Sequence, residues 1–334
     1  MRWLERYWYR ITPLHAVLFP LSLAFRAAVT VRRALYALGI ARAARLPVPV
    51  VVVGNITVGG TGKTPLTLWL TRFLAEHGRA PGIVTRGYGG ALVAPRRVFA
   101  DSDPFACGDE AVLLARRGGR PVWAGADRAA TARALLAAHP ECDVVVSDDG
   151  LQHYALARVA EIVVLDGARR CGNGLLLPAG PLREPLSRLA AVDALVVNGA
   201  PEQEAFGAPG VPADRRFTMT LAGAVFHNLR DPRRKATREQ FPRQRLHAVA
   251  GIGDPQRFFR HLEGLGLGFV AHPFPDHHAF SPANLAFAEC DAVIMTEKDA
   301  VKCERFCDEK CWALAVDAHV DPRLGQLILQ RLAG

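Results

Sequence analysis

Cysteine, methionine and early acidic residues are what this chain has little of. Its 334 residues include seven cysteines and three methionines, and no secretory cleavage pattern opens it. A disulfide-built secreted fold is thereby excluded, and reduced thiols in a cytosolic setting are expected. Cys303, Cys307 and Cys311 stand four apart and could line one helical stripe. Cys311, however, directly precedes the apolar run Trp312–Val316, where a helix should already have ended, and the spacing matches no zinc pattern. Internal repeats and long low-complexity tracts are absent as well, so a solenoid or a disordered scaffold is not expected.

Acids are scarcest at the start. Residues 1–46 contain eight arginines (2, 6, 10, 26, 32, 33, 42 and 45) and one acid, Glu5, which accounts for seven of the chain's nine net positive charges. On a helix, Trp3, Leu4, Tyr7, Trp8 and Ile11 would share a face, with Arg2, Arg6 and Arg10 stacked on another. Leu14–Phe25 carries no charge beyond a possible proton on His15; it is short for a bilayer span and contains Pro20. This pattern fits an amphipathic helical arm lying in an anionic membrane interface. The competing reading is a pair of helices packed on the body with solvated arginines. Nucleic acid is not an expected partner, because the basic residues are interleaved with apolar ones.

The informative stretch is VVVGNITVGGTGKTPLTLWL, Val51–Leu70. A β-branched run enters a glycine turn and leaves through Lys-Thr into an apolar-periodic helix. Glycines let backbone N–H groups converge on an anion, and a helix N-terminus favours negative charge. The segment Thr57, Val58, Gly59, Gly60, Thr61, Gly62, Lys63 and Thr64 is therefore read as a phosphate loop, with Lys63 on the β- and γ-phosphates and Thr64 on Mg²⁺. Thr57 stands where the common pattern has its first glycine. Downstream, ECDVVVSDDGLQHYAL is a buried strand ending in Asp148 and Asp149, carboxylates placed for Mg²⁺; a helix cap is the plain alternative. No guanine-reading N-K-x-D occurs, since Lys298 and Asp299 are adjacent in Thr296–Asp299, so ATP is the expected nucleotide.

Strands are expected near 50–53, 82–85, 144–147, 162–165, 194–197, 246–250, 292–295 and 313–316. Such short, fully apolar strands alternating with helices indicate α/β architecture and a parallel sheet covered on both faces. The expected organisation is an arm at 1–46, a P-loop NTPase-like domain at 47–205 and a smaller C-terminal α/β domain at 206–334. Between the last two, Gly199–Arg216 reads as a linker, after which Phe217, Met219 and Leu221 alternate as a strand would.

Several motifs occur in order: VGNITVGGTGKTP, VTRGYGG (84–90), GDEAVLLARR (108–117), DDGLQHY (148–154), GNGLLLPAGPLREP (172–185), FPDHHAF (274–280) and MTEKDAVKC (295–303). From about residue 10 onward the chain resembles the tetraacyldisaccharide 4'-kinases of lipid A synthesis, whose loop also lacks the first glycine. The resemblance implies ATP-dependent phosphorylation of the 4'-hydroxyl of a tetraacyldisaccharide 1-phosphate, giving lipid IVA, at the cytoplasmic face of the bacterial inner membrane. It implies Asp109 as the catalytic carboxylate and His277 as its supporting histidine, with His278 a rival for that role. It further implies site positions at Glu110, Arg128, Gln152, Arg183, Glu184 and Asp276, where arginines could grip phosphate and acids assist the sugar or the metal. Arg183 and Glu184 read equally well as a surface pair. A membrane-associated ATPase switch of the partitioning or metal-insertion type shares the G-G-x-G-K-T loop, but usually has a lysine where this chain has Val58. A soluble kinase for a small alcohol would leave the arm unexplained.

Overall fold

The structure is a computed structural model and describes residues 7–10, 12–90, 92–199, 210–241 and 245–333. Most of the first expected helix, and residues 200–209 of the expected linker, lie outside these. Tyr7–Arg10 form a turn, with Trp8 buried and its Nε1 donating to the Pro178 carbonyl at 3.0 Å. Helix α1 then runs from Leu14 to Ala37. It does not end at Phe25 as the uncharged stretch suggested: Arg26, Arg32 and Arg33 are good helix formers, and Pro20 is accommodated inside. Its 24 residues extend about 36 Å at 1.5 Å each, enough to cross a bilayer core by length.

The body alternates strands and helices: β1 (Val50–Gly54), α2 (Lys63–Glu76), β2 (Pro81–Thr85), β3 (Arg96–Val98), α3 (Pro104–Cys107), α4 (Asp109–Gly118), β4 (Val122–Ala124), α5 (Arg128–Ala138), β5 (Val144–Asp148), β6 (Ala160–Asp166), β7 (Ala194–Asn198) and β8 (Arg216–Ala222). There follow β9 (Phe226–Asn228), β10 (Lys235–Ala236), β11 (Leu246–Ala250), α6 (Pro255–Gly264), β12 (Phe269–Pro273), β13 (Ala292–Thr296), α7 (Glu297–Cys303), β14 (Cys311–Leu314), β15 (Asp317–Val320) and α8 (Pro322–Ala333).

The described strands form a nine-stranded sheet, ordered β15-β8-β7-β6-β1-β5-β2-β4-β3, and a six-stranded sheet, ordered β10-β9-β14-β13-β11-β12. In the first sheet β3 and β15, at the edges, run antiparallel and the rest are parallel. The valine run of β1 shows why its sequence lacks alternation. Val50 and Val52 face a layer holding Leu135 of α5, whereas Val51 and Val53 face Leu66 and Leu70 of α2 and Ile328 of α8. Successive side chains point to opposite faces, and both faces are buried, so every position must be apolar.

The boundary expected at residue 206 does not coincide with the boundary between the sheets. β8, β15 and α8 all lie beyond it yet belong to the first sheet's layers. The second sheet is built from 226–314, and the chain passes into and out of it through β8 and β15. The three spaced cysteines do not share a helix, as the apolar run after Cys311 indicated: Cys303 ends α7, Cys307 lies in the following loop and Cys311 starts β14. All seven cysteines are free thiols.

Candidate active site

The phosphate loop leaves β1 at the centre of the large sheet and enters α2 at Lys63. Gly59 and Gly62 adopt φ of 105° and 97°, conformations that glycine reaches without strain. A side chain at Gly62 would also strike Asn198 of β7, whose Nδ2 donates to the Thr61 carbonyl at 2.9 Å and pins the turn. Thr57 and Val58 are held differently. Thr57 bridges to Leu182 and the Val58 N–H donates to Pro181 at 2.9 Å, so that amide is already engaged. The turn that offers its backbone is the glycine part alone. Above it, Gly253 approaches Gly60 so closely that a Cβ at Gly253 would lie 2.4 Å from the Gly60 nitrogen. Arg169 donates to the Gly253 carbonyl at 2.9 Å and pairs with Asp254 at 3.2 Å, tying the second sheet to the loop.

At the adjacent end of β5, Asp148 is fully buried. Its Oδ1 accepts from Thr67 Oγ1 at 2.8 Å, and its Oδ2 has no hydrogen-bond partner. Burial, with the nearby charges of Glu110 and Asp149, pushes this carboxyl up to about 7. Asp149 behaves oppositely. Burial raises it, but Lys63 at 3.4 Å and Arg183 at 3.5 Å pull it down to about 2. An orphaned buried carboxylate oxygen, a second ionised carboxylate and the Thr64 hydroxyl at the start of α2 are hard oxygen donors of the kind Mg²⁺ takes. Among the described residues no three His, Cys, Asp or Glu side chains gather as a metal cage. A cation here would complete its shell with water or phosphate oxygens. Arg128, 1 % exposed, donates to the Gly125 carbonyl at 2.7 Å, while its Nε and second terminal nitrogen have no partner. Burial lowers it to about 10 against the pull of Asp149 and Asp148, so it stays cationic with donors to spare.

Asp109 is the first residue of α4, placed by a tight approach of Gly108 to the Gly87–Tyr88 backbone. His277 comes from the loop between β12 and β13, in a left-handed conformation with φ 57°. The two meet: His277 Nδ1 lies 3.1 and 3.2 Å from the carboxylate oxygens of Asp109. Burial pushes Asp109 up, but the His277 hydrogen bond and the charges of Lys298, His277 and Lys302 bring it below 3.8. Burial pulls His277 down, but Asp109 and Asp276 outweigh that and the repulsion of Lys298, leaving it above 6.5. His278 does not compete. Its ring packs between Phe274 and Phe280, and its Nε2 lies 3.3 Å from Asn284.

The remaining expected residues separate into two groups. Glu110 and Asp276 lie around the Asp109–His277 pair, both bonded to Lys298. Glu184 is no surface residue. It is 1 % exposed, accepts from Gln152 at 2.8 Å and from Tyr154, and pairs with Arg188 at 3.3 Å. Gln152 in turn donates to the Asn55 carbonyl at 3.0 Å, so this network braces the root of the phosphate loop. Sequence reasoning missed Lys298, Lys302, Tyr88 and Asn198. The lysines sat in a quoted motif, but only folding brings that motif beside Asp109.

A parallel α/β sheet, a glycine loop between its central strand and a helix, and an acidic pair on the neighbouring strand define a P-loop nucleotide-binding protein. The comparisons with known proteins then narrow the class. The family model for tetraacyldisaccharide-1-P 4'-kinase matches residues 14–333, and the chain belongs to that family. A protein named tetraacyldisaccharide 4'-kinase from Methylobacillus flagellatus is 49 % identical over 99 % of this chain and 96 % of its own. One of the same name from Dechloromonas aromatica is 50 % identical over 100 % and 98 %. The crystal structure of LpxK from Aquifex aeolicus in complex with ATP superposes with a TM-score of 0.80 at 28 % identity, covering 96 % of this chain and 99 % of that one.

Proposed function

We propose that this chain transfers the γ-phosphate of ATP to the 4'-hydroxyl of a tetraacyldisaccharide 1-phosphate, giving lipid IVA. The observation that carries this reading is the convergence of two sets of groups. The phosphate loop and Asp148 stand in one electrostatic cluster with Glu110, the residue next to Asp109. Nucleotide-binding groups and a buried carboxylate–imidazole pair therefore share one site.

Phosphoryl transfer asks mainly for positioning and charge neutralisation. The Gly59–Gly62 backbone and Lys63 hold the phosphates, and Arg128 supplies further donors. Thr64, Asp148 and Asp149 would hold Mg²⁺, which when bound would neutralise charge on the phosphate oxygens. Asp109, ionised at neutral pH, accepts the proton of the sugar hydroxyl, and His277 orients it through Nδ1. Arg183 stands 3.5 Å from Asp149 and adds positive charge beside Lys63, while Gln152 and Glu184 keep the loop in place. Residues 47–205 contribute all of these groups except His277, which comes from the second sheet's part of the chain, so both sheets are needed.

The lipid acceptor explains α1. A helix packed on a soluble body buries its apolar stripe. Here the buried residues are His15 and Ser22, which bond Asn173 at 3.0 Å and the Leu176 carbonyl at 2.9 Å. Val17, Phe19, Leu21, Leu23 and Val31 are exposed, Val17 at 70 % and Leu21 at 57 %. Apolar side out, with Arg26, Arg32 and Arg33 toward one end, suits the anionic cytoplasmic face of an inner membrane. Partners follow from this: a lipid disaccharide and a membrane surface, with no nucleic acid.

The deciding experiment is transfer of labelled γ-phosphate to a tetraacyldisaccharide 1-phosphate in detergent. Turnover that requires the acceptor supports a kinase. ATP hydrolysis indifferent to the acceptor would instead support the ATPase-switch reading.

A further inference from the structure

Lys298, the second residue of α7, is not needed to bind ATP, the metal or the sugar in the scheme above, yet it is buried among that scheme's groups. Its Nζ lies 2.9 Å from Glu110 Oε1, 3.2 Å from Asp276 Oδ1 and 3.4 Å from His277 Nε2. Its side chain is 13 % exposed. Three residues from two segments distant in sequence thus share one ammonium, and each of the three adjoins or belongs to the Asp109–His277 pair.

The chemistry of the contacts fixes the proton on the imidazole. An ammonium has three donors and no lone pair. Nε2 lies 3.4 Å from the Lys298 ammonium and 3.7 Å from Asp276 Oδ1, and toward the nearer group, the ammonium, it presents its lone pair. Nδ1, facing both oxygens of an ionised carboxylate, must then carry the hydrogen. We infer that Lys298 is the positioning residue of this pair: it selects the Nδ1–H tautomer of His277 and holds Glu110 and Asp276 around it. This rests on the kinase reading for the importance of the pair, but not for the tautomer itself.

Charge enters in the same sense. The groups facing His277 are Asp109 on α4, Asp276 on its own loop and Lys298 on α7, with the ring of Tyr88 4.8 Å away. Lys302 lies 3.8 Å from Asp109 Oδ2 and is itself paired with Asp299 at 2.7 Å. Lys298 is therefore the cation that opposes a second proton on the imidazole. Without it, the two carboxylates Asp109 and Asp276 would favour the imidazolium further. An imidazolium holds its Nδ1 proton against Asp109 more strongly and makes that carboxylate a poorer base.

The test uses histidine-labelled full-length protein in detergent, with ¹⁵N NMR reading the tautomer and titration of His277, its signal assigned by its loss in His277→Gln. The wild type should show the Nδ1–H form. In Lys298→Met the titration should move up by about one unit or more, the size expected for removing a like charge at this range. The acidic limb of kcat should move with it, while KM for ATP changes less than about twofold. Lys298→Arg, which keeps the charge, should restore both. If Lys298→Met does not fold, Lys298→Gln serves as the neutral variant. An unchanged tautomer and titration in the neutral variant overturns the inference, whatever happens to kcat; so does an arginine variant that shifts as far as the neutral one. A wild type that fails to phosphorylate the lipid acceptor sinks the kinase reading instead, and leaves the NMR result standing.

Discussion

Replacing Asp109 and His277 by alanine, singly and together, should reveal one catalytic unit and not two. Asp109 is the group that meets the hydroxyl proton, so Asp109→Ala should lower kcat by about 10²- to 10⁴-fold, the span usual for a positioned base. At about 1.36 kcal/mol per tenfold that is roughly 3–5 kcal/mol of barrier. His277→Ala should cost less, for a reason visible in the structure. The carboxylate keeps the Glu110 N–H at 2.8 Å and the Lys302 ammonium at 3.8 Å, so it stays charged and partly oriented. Roughly 10- to 10²-fold is expected for that loss of orientation. The double variant should fall little below Asp109→Ala alone, because an imidazole with no carboxylate to orient contributes nothing. Steady-state transfer to the lipid acceptor measures kcat, calorimetry measures ATP affinity, which should hardly change, and thermal melts confirm folding. His278→Ala should keep most of its activity, since that ring meets Phe274 and Phe280 and not Asp109. A double variant whose loss equals the product of the single losses would mean independent roles, and the pair would have to be abandoned.

Lys63→Ala should abolish turnover in a folded protein and also free Asp149 from one of the three cations that hold it near 2, so its carboxylate infrared band should titrate at higher pH; near-full activity would remove the phosphate-loop reading. Val17, Phe19, Leu21 and Leu23 changed together to serine should weaken binding to anionic vesicles by on the order of 10²-fold or more, since a fully buried apolar side chain is worth about 1.5–3 kcal/mol; unchanged flotation would make α1 a packing element. The stabilising coupling between Asp109 and His277, measured as a double-mutant cycle of unfolding, should depend on pH. His277 titrates above 6.5 in the folded state and Asp109 below 3.8, so the coupling is whole between those values. It falls to that of a neutral Nδ1–H hydrogen bond as pH rises through the raised histidine value, and is lost as pH falls through the lowered carboxylate value; equal coupling at pH 6 and pH 9 would contradict the ion-pair geometry.

Some of this was written in local sequence. The glycine loop, Lys63 and Thr64 could be placed because strand, turn and helix follow one another without a break, and their geometry depends on near neighbours. The valine runs announced buried parallel strands for the same reason, as both faces of β1 had to be covered. The strands that escaped notice, β3, β4, β9, β10, β12 and β15, are two to five residues long and mostly at sheet edges. Such strands are held by partners far along the chain more than by their own composition. The full length of α1 is likewise not marked by its apolar run, since arginines interrupt such a run without interrupting a helix.

Tertiary structure alone decided the rest. Which of the adjacent residues His277 and His278 faces Asp109 depends on the left-handed turn at position 277. Whether Glu184 is a surface acid or a buried brace depends on Tyr154, Gln152 and Arg188 closing over it. That β15 and α8 return to the first sheet depends on β8 and β15 pairing across the gap that the second sheet fills. Above all, Lys298 is an unremarkable charge at the start of a short helix until folding sets it 188 residues away in sequence from Glu110 and 2.9 Å away in space. Short-range patterns record what a residue's neighbours require of it; the ionisation state of a buried group is set by whichever charges the whole fold brings within a few ångströms.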